Sequence, residues 1–169
     1  MEIPFGLIGF GAWGSHHARA IAQTPGAKLT AIADASEDNR RLAKQEFPAA
    51  EVLADYRDLV ARPDLQIVDI AAPSFLHEEM AVRALEAGKH VILEKPMAVD
   101  EKSCNAILAA VRRTGKILNV VHEFRVSVQW GAIKRLIEEG RLVESGTWDE
   151  LVIKENGRFH TLYQAQEMK

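Results

Sequence analysis

Three short groupings carry residues whose types and spacing could do chemistry. Gly9-Phe10-Gly11-Ala12-Trp13-Gly14 has the spacing GxGxxG. In that pattern the first glycine permits a tight turn and the second lets a pyrophosphate approach the main chain. The third lets a following helix pack closely on its sheet, with the N-terminal amides, those of Ala12 and Trp13 among them, directed at the phosphates. The bland alternative is a tight strand-to-helix turn and nothing more. Asp34 lies twenty residues beyond Gly14. A carboxylate there accepts hydrogen bonds from adenine-ribose hydroxyls and repels a 2′-phosphate, which favours NAD over NADP. Its competing role is to cap the next helix. Arg40 and Arg41 could offset a phosphate, but they fall within a helical pattern and read as a solvated face. Glu94-Lys95-Pro96 ends an apolar run. A lysine at the carboxyl end of a parallel strand meets a substrate hydroxyl, and desolvation or a neighbouring cation would bring it toward neutrality as an acid/base. The alternative is a plain Glu94–Lys95 ion pair.

The remaining reactive types read as structural. His16-His17 follows the glycine loop as helix surface. Cys104 lies on an apolar helix face as a small core residue. No His/Cys/Asp/Glu set has metal-ligand spacing, so no metal is expected.

These positions need a framework, and the chain alternates short β-branched runs with helical patterns. Strands are predicted at 5–8, 28–33, 51–53, 67–71, 90–93 and 117–121. The run 67–71 is almost wholly apolar, as in a buried parallel sheet. Helices are predicted from the glycine loop to Gln23 and over 37–46, 56–60 and 74–87. Ser74 is the expected N-cap of the last, with Leu76, Met80, Ala84 and Leu85 on its apolar face. Asp100 caps a further helix, with Cys104, Ile107, Leu108 and Val111 as its apolar face and Gly115 as its end. Strands separated by helices make βαβ units, so the fold class is α/β, a doubly wound parallel sheet.

Composition excludes several functions. The chain has 169 residues and a formal net charge of −3, with no basic cluster, so nucleic acid is not an expected partner. No run of 18 apolar residues suggests a membrane span. Cys104 is the single cysteine, and the N-terminus lacks a basic leader, so a soluble cytoplasmic protein is expected.

The glycine loop, Ala72-Pro73-Ser74-Phe75-Leu76-His77, and Ala87-Gly88-Lys89-His90-Val91 running into Glu94-Lys95-Pro96 resemble the Gfo/Idh/MocA oxidoreductases. The likeness continues through Val121-His122-Glu123-Phe124-Arg125 and Trp130, so it covers about residues 3–140. It implies an NAD(P)-binding Rossmann domain that passes hydride between a nicotinamide and a hydroxyl-bearing carbon of a sugar or polyol. The family's Glu-Lys-Pro lysine falls on Lys95, in an acid/base or substrate-positioning role. Glu94 accompanies it at the cofactor. Ser74 and His77 fall where the chain borders the nicotinamide, and His122 and Glu123 where it leaves the sixth strand beside the cofactor. For His77 a structural first-turn hydrogen bond is an equal reading.

Members of that family carry a second α/β domain that builds the substrate pocket and supplies an Asp and a His to complete the acid/base set. Only 29 residues follow Gly140 here, and none of them resembles that segment. The stretch from Gly140 to Gln166 is instead similar to the C-terminal end of ABC-transporter nucleotide-binding domains, with Thr147 and Glu150 as a capping box and Leu151, Phe159 and Leu162 as an apolar stripe. The expected organisation is therefore a Rossmann domain at 1–121, a connecting helix region at 122–140 and a foreign tail at 141–169. Turnover would require the missing half. A non-catalytic dinucleotide-binding module, or a chimeric product, is the alternative, and an uncovered apolar face predicts a homo-oligomer.

Overall fold

The computed structural model describes residues 2–122 and the single positions Gly131, Arg135, Glu150, Gly157 and His160. The expected connecting helix, the tail and its resemblance to ABC-transporter domains fall almost wholly outside the described residues. The chain divides into two units, residues 1–121 and 122–169, and the first holds the parallel sheet.

The elements of this first unit run β1 (Ile3–Ile8), α1 (Ala12–Gln23), β2 (Ala27–Ala33), α2 (Glu37–Glu46), β3 (Glu51–Leu53) and α3 (Tyr56–Ala61). Then come β4 (Ile67–Ile70), α4 (His77–Glu86), β5 (His90–Leu93), α5 (Glu101–Thr114) and β6 (Leu118–Val120). Among the described residues the strands form one sheet in the order β3-β2-β1-β4-β5-β6, and every pair is parallel. β1 therefore has β2 on one side and β4 on the other. This reversal of strand order opens the crevice in which open α/β sheets bind ligands.

The two-residue side-chain period divides the core. Ile8, Ala31, Ala33, Val68, Ile70, Val91 and Leu93 face one layer, where they meet Leu59, Leu85 and Ile107 of α3, α4 and α5. Leu7 and Ile32 face the other, against Ala18 and Ile21 of α1 and Ala43 of α2, and the register shift that skips Thr30 between β1 and β2 brings Leu29 to the same side. Asp69 alternates with Val68 and Ile70, so its position in β4, opposite Leu7 of β1, belongs to the α1 face.

Three expectations about the helices need correction. Ser74 does not cap α4: it opens a 3-10 turn over Ser74–Leu76, and Leu76 holds the cap position without a side-chain bond. The chain must turn off the end of β4 before the helix can lie back along the sheet. The buried face of α5 is Ser103, Ile107 and Ala110, rotated from the expected one, and Leu108 is 39% exposed. Cys104 is correspondingly half-buried at the flank of that face. Asp100 does cap α5, accepting from the Ser103 amide at 2.7 Å, and Gly115, with φ 66°, ends it.

Candidate functional site

The site is built where the strands end. Gly9 N–H donates to the Ala33 carbonyl at 2.8 Å, Ala71 N–H to Ile8 at 2.8 Å and Glu94 N–H to Ile70 at 3.0 Å. The loops after β1, β2, β4 and β5 thus leave the sheet side by side.

In the first loop Gly9 has φ +91°, and a Cβ there would lie 2.6 Å from the Ala71 carbonyl oxygen. A Cβ on Gly14 would lie 1.9 Å from the Gly9 carbonyl oxygen, so these two glycines are required by the fold itself. Gly11 differs: a Cβ there would meet nothing within 4 Å, and its φ of −76° is open to any residue. It sits at the N-cap of α1, which has no side-chain cap and no acidic residue in its first turn. The first intrahelical bond is Ser15 N–H to Gly11, leaving the amides of Ala12, Trp13 and Gly14 without helical acceptors. An open cradle with amides and the positive end of a helix dipole is what a diphosphate fits.

Asp34 closes the end of this loop away from β4. Its Oδ2 accepts from the Phe10 amide at 2.6 Å and from Asn39 Nδ2 at 3.1 Å, and its Oδ1 accepts from the Ser36 amide at 2.8 Å. The capping alternative is thereby excluded, because Ser36 caps α2. A carboxylate has about four acceptor sites, so one remains for a ribose hydroxyl. Arg40 is not simply solvated: its guanidinium donates to the carbonyls of Asp34 and Ala35 at 2.9 and 2.8 Å. Arg41 does lie on an exposed face, paired with Asp38.

A cleft of about 890 Å³ runs along these loops. Gly9, Gly11, Trp13 and Asp34 line one part and Ala71, Ala72 and Pro73 the middle. Tyr56, Arg57 and Glu79 close the far end. There the Tyr56 hydroxyl and Arg57 both donate to Glu79 Oε1. Sequence reasoning misses this closure, since Tyr56 and Arg57 after a short edge strand and Glu79 on α4 belong to no motif.

Glu94 is buried at the end of β5, and Lys95 emerges exposed. The Lys95 ammonium lies 5.3 Å from the centre of the Trp13 ring, which joins it to the glycine loop. His77 is 1% exposed, with Nδ1 and Nε2 at 2.8 and 2.9 Å from the carbonyl oxygens of Pro96 and Ala72. Of its two readings the geometry carries the structural one: the ring ties the loop after β4 to the Glu94-Lys95-Pro96 turn. Ser74 stands beside the cleft in the 3-10 turn. His122, exposed, belongs to the second unit.

His17 corrects the reading of His16-His17 as helix surface. His16 is exposed, but the His17 side chain is only 14% exposed. Its Nδ1 is 3.0 and 2.9 Å from Asp69 Oδ1 and Oδ2, and its Nε2 is 3.0 Å from Glu94 Oε1. The hydrogen bond to Asp69 raises its pKa, against the opposing cost of burial. Burial raises that of Asp69 more than the His17 bond lowers it. Among the described residues no group of three or more His, Cys, Asp or Glu is arranged to hold a metal ion, and no helix is long and apolar enough to cross a membrane.

Comparison with known proteins agrees with this geometry. Residues 3–122 match the family model described as an oxidoreductase family with an NAD-binding Rossmann fold. The chain is 34% identical over 145 residues to inositol 2-dehydrogenase of Gluconacetobacter diazotrophicus, covering 84% of this chain and 43% of that protein. It is also 34% identical to levoglucosan dehydrogenase of Pseudarthrobacter phenanthrenivorans, over 81% of this chain and 37% of that one. Among solved structures it is similar to the WlbA dehydrogenase of Bordetella pertussis in complex with NADH and UDP-GlcNAcA, at TM-score 0.77 and 31% identity. That alignment covers 85% of this chain and 44% of the other. The chain spans about two fifths of the length of the curated relatives it matches.

Proposed function

The chain belongs to the Gfo/Idh/MocA family of oxidoreductases with an NAD-binding Rossmann fold, and on that premise we propose that it holds NAD along the cleft for hydride transfer at a hydroxyl-bearing carbon of a sugar or polyol. The observation that carries this reading is the open cradle at Gly11 beside the uncapped start of α1, with Asp34 fixed at its end by the Phe10 amide. The amides of Ala12, Trp13 and Gly14 hold the diphosphate, and the free acceptor site of Asp34 takes a ribose hydroxyl. The same carboxylate repels a 2′-phosphate, so NADP binds less well. When bound, the nicotinamide supplies the hydride acceptor. Lys95 holds or moves the hydroxyl proton at its Nζ, while Glu94 and His77 fix the turn that carries it and Ser74 borders the ring.

The sugar or polyol class is supported by the names of the inositol and levoglucosan dehydrogenases among the relatives. Within the same proposal, residues 1–121 are the cofactor domain, 122–140 a connecting region and 141–169 an appended segment. A homo-oligomer is supported by large apolar side chains left exposed among the described residues, Phe75 and Ile117 foremost. A monomer on size-exclusion chromatography would remove that element alone.

Titration of NADH fluorescence tests the reading directly. Saturation is expected well below millimolar NADH, and its absence would overturn the proposal. Asp34→Ala should weaken NADH by about 10- to 100-fold, the worth of a hydrogen bond to a charged group, and weaken NADPH less; the reverse order would refute the role of Asp34. NADH formation with a sugar and polyol panel then separates an enzyme from a module that only binds the dinucleotide.

A further inference from the structure

We propose that His17 is a positioning residue for Lys95: its ring joins the glycine-loop helix to the ends of β4 and β5 through Asp69 and Glu94, and Glu94 passes that constraint to the Lys95 main chain. The proposal rests on the reading of Lys95 as the acid/base group, and deepens it.

The contacts form a continuous chain. Asp69 lies within β4, with its side chain 4% exposed, and both its oxygens approach His17 Nδ1. His17 Nε2 reaches Glu94 Oε1, and Glu94 Oε2 accepts from the Lys95 amide at 2.9 Å. Glu94 is thus held by one oxygen while it holds Lys95 with the other. Two carboxylates in the sheet-facing layer need a cation between them, because burying uncompensated charge is costly. With both carboxylates ionised they only accept, so both ring nitrogens donate and the ring is an imidazolium. The raised pKa of His17 agrees with that state.

The Lys95 side chain is referred to the same helix. Trp13 precedes His17 by one turn, at the i, i+4 spacing that places two residues on one face, and its ring stands 5.3 Å from the Lys95 ammonium. One face of α1 therefore governs the main chain of Lys95 through His17 and its side chain through Trp13. The N-terminus of that helix is the diphosphate cradle. The distance from the cradle to the acid/base group is fixed within a single element, and His17 is the fixing contact.

Competitive labelling of the intact chain with an amine-reactive reagent, read lysine by lysine by mass spectrometry, tests this without cofactor or substrate. His17→Gln should change the labelling rate of Lys95 by more than about twofold, the lower edge of measurable coupling between contacting groups. The exposed Lys28 and Lys44 serve as controls and should not change. Glu94→Gln should have the same effect, and the double variant no more than either single one. A purely structural role would lower stability and leave Lys95 labelling unchanged; that result, or additive effects, would overturn the proposal. Should His17→Gln not fold, the ring nitrogens of His17 in the wild-type chain decide by NMR: both protonated at neutral pH supports the bridge, and a neutral tautomer refutes it. Because the labelling is done without NADH, a chain that fails to bind NADH would sink the reading of the cleft while leaving this result to stand or fall by itself.

Discussion

Gly11 and Gly14 occupy one motif for different physical reasons, and substitution separates them. A Cβ at Gly14 collides with the Gly9 carbonyl at 1.9 Å, where neither atom can move without opening the turn. Gly14→Ala is therefore expected to cost several kcal/mol, about 3 or more, as a backbone clash in a packed core does. A Cβ at Gly11 meets only open space, so Gly11→Ala should leave the thermal midpoint within a few degrees while abolishing measurable NADH binding. Equal loss of stability in both variants would show that Gly11 serves the fold and not a ligand. The glycine spacing and Asp34 were legible because their function is written in the local chain, as a turn and a register. His17 was not, because its meaning lies in residues 52 and 77 positions away. A weaker signal was present: Asp69 stands in an otherwise apolar strand on the face covered by α1, and a buried carboxylate calls for a partner on that helix.

The secondary elements were legible from alternation and capping to within a residue or two, except that α4 begins three residues later than predicted. Periodicity identifies a helix but fixes its rotation only loosely when several neighbouring positions are apolar. In α5 the apolar set Cys104, Ile107, Leu108 and Val111 predicts one face, whereas the buried set is Ser103, Ile107 and Ala110. The small residues at 103 and 110 are buried beside Ile107, and the larger Leu108 is turned outward. The consequence is asymmetric. Ile107→Ala, at a fully buried site, should cost about 2–5 kcal/mol, while Leu108→Ala should stay below about 1 kcal/mol. Urea denaturation reads both as shifts in midpoint with an unchanged slope. A larger loss at Leu108 would restore the face expected from the sequence. Ser74 differs for another reason: a good capping residue was present, but the chain leaves β4 through a 3-10 turn at that position.

Across the whole Rossmann unit, the strand ends that make the cleft also concentrate charge in its interior, and this makes stability depend on pH. Both His17 and Asp69 have pKa values raised in the folded state. Each therefore binds protons more tightly when folded than when unfolded, and stability must fall as pH rises through the interval between the two values. For His17 that interval begins at the ordinary histidine value of about 6.5 and extends upward. Its contribution is complete below that point and disappears as the pH passes the raised folded value. For Asp69 the interval begins at the ordinary carboxylate value, and the sign is the same. Other groups titrate too, among them Lys89, whose burial against the Arg62 and Leu65 carbonyls lowers its pKa. The useful quantity is therefore the difference between wild type and His17→Gln, in which those groups cancel. Urea denaturation at steps from pH 6 to pH 9 should show the wild-type advantage shrinking steadily toward the alkaline end. An advantage that is constant over that range would mean that the ring between Asp69 and Glu94 carries no extra proton, and the charge balance that buries two carboxylates beneath the cleft would then need another source.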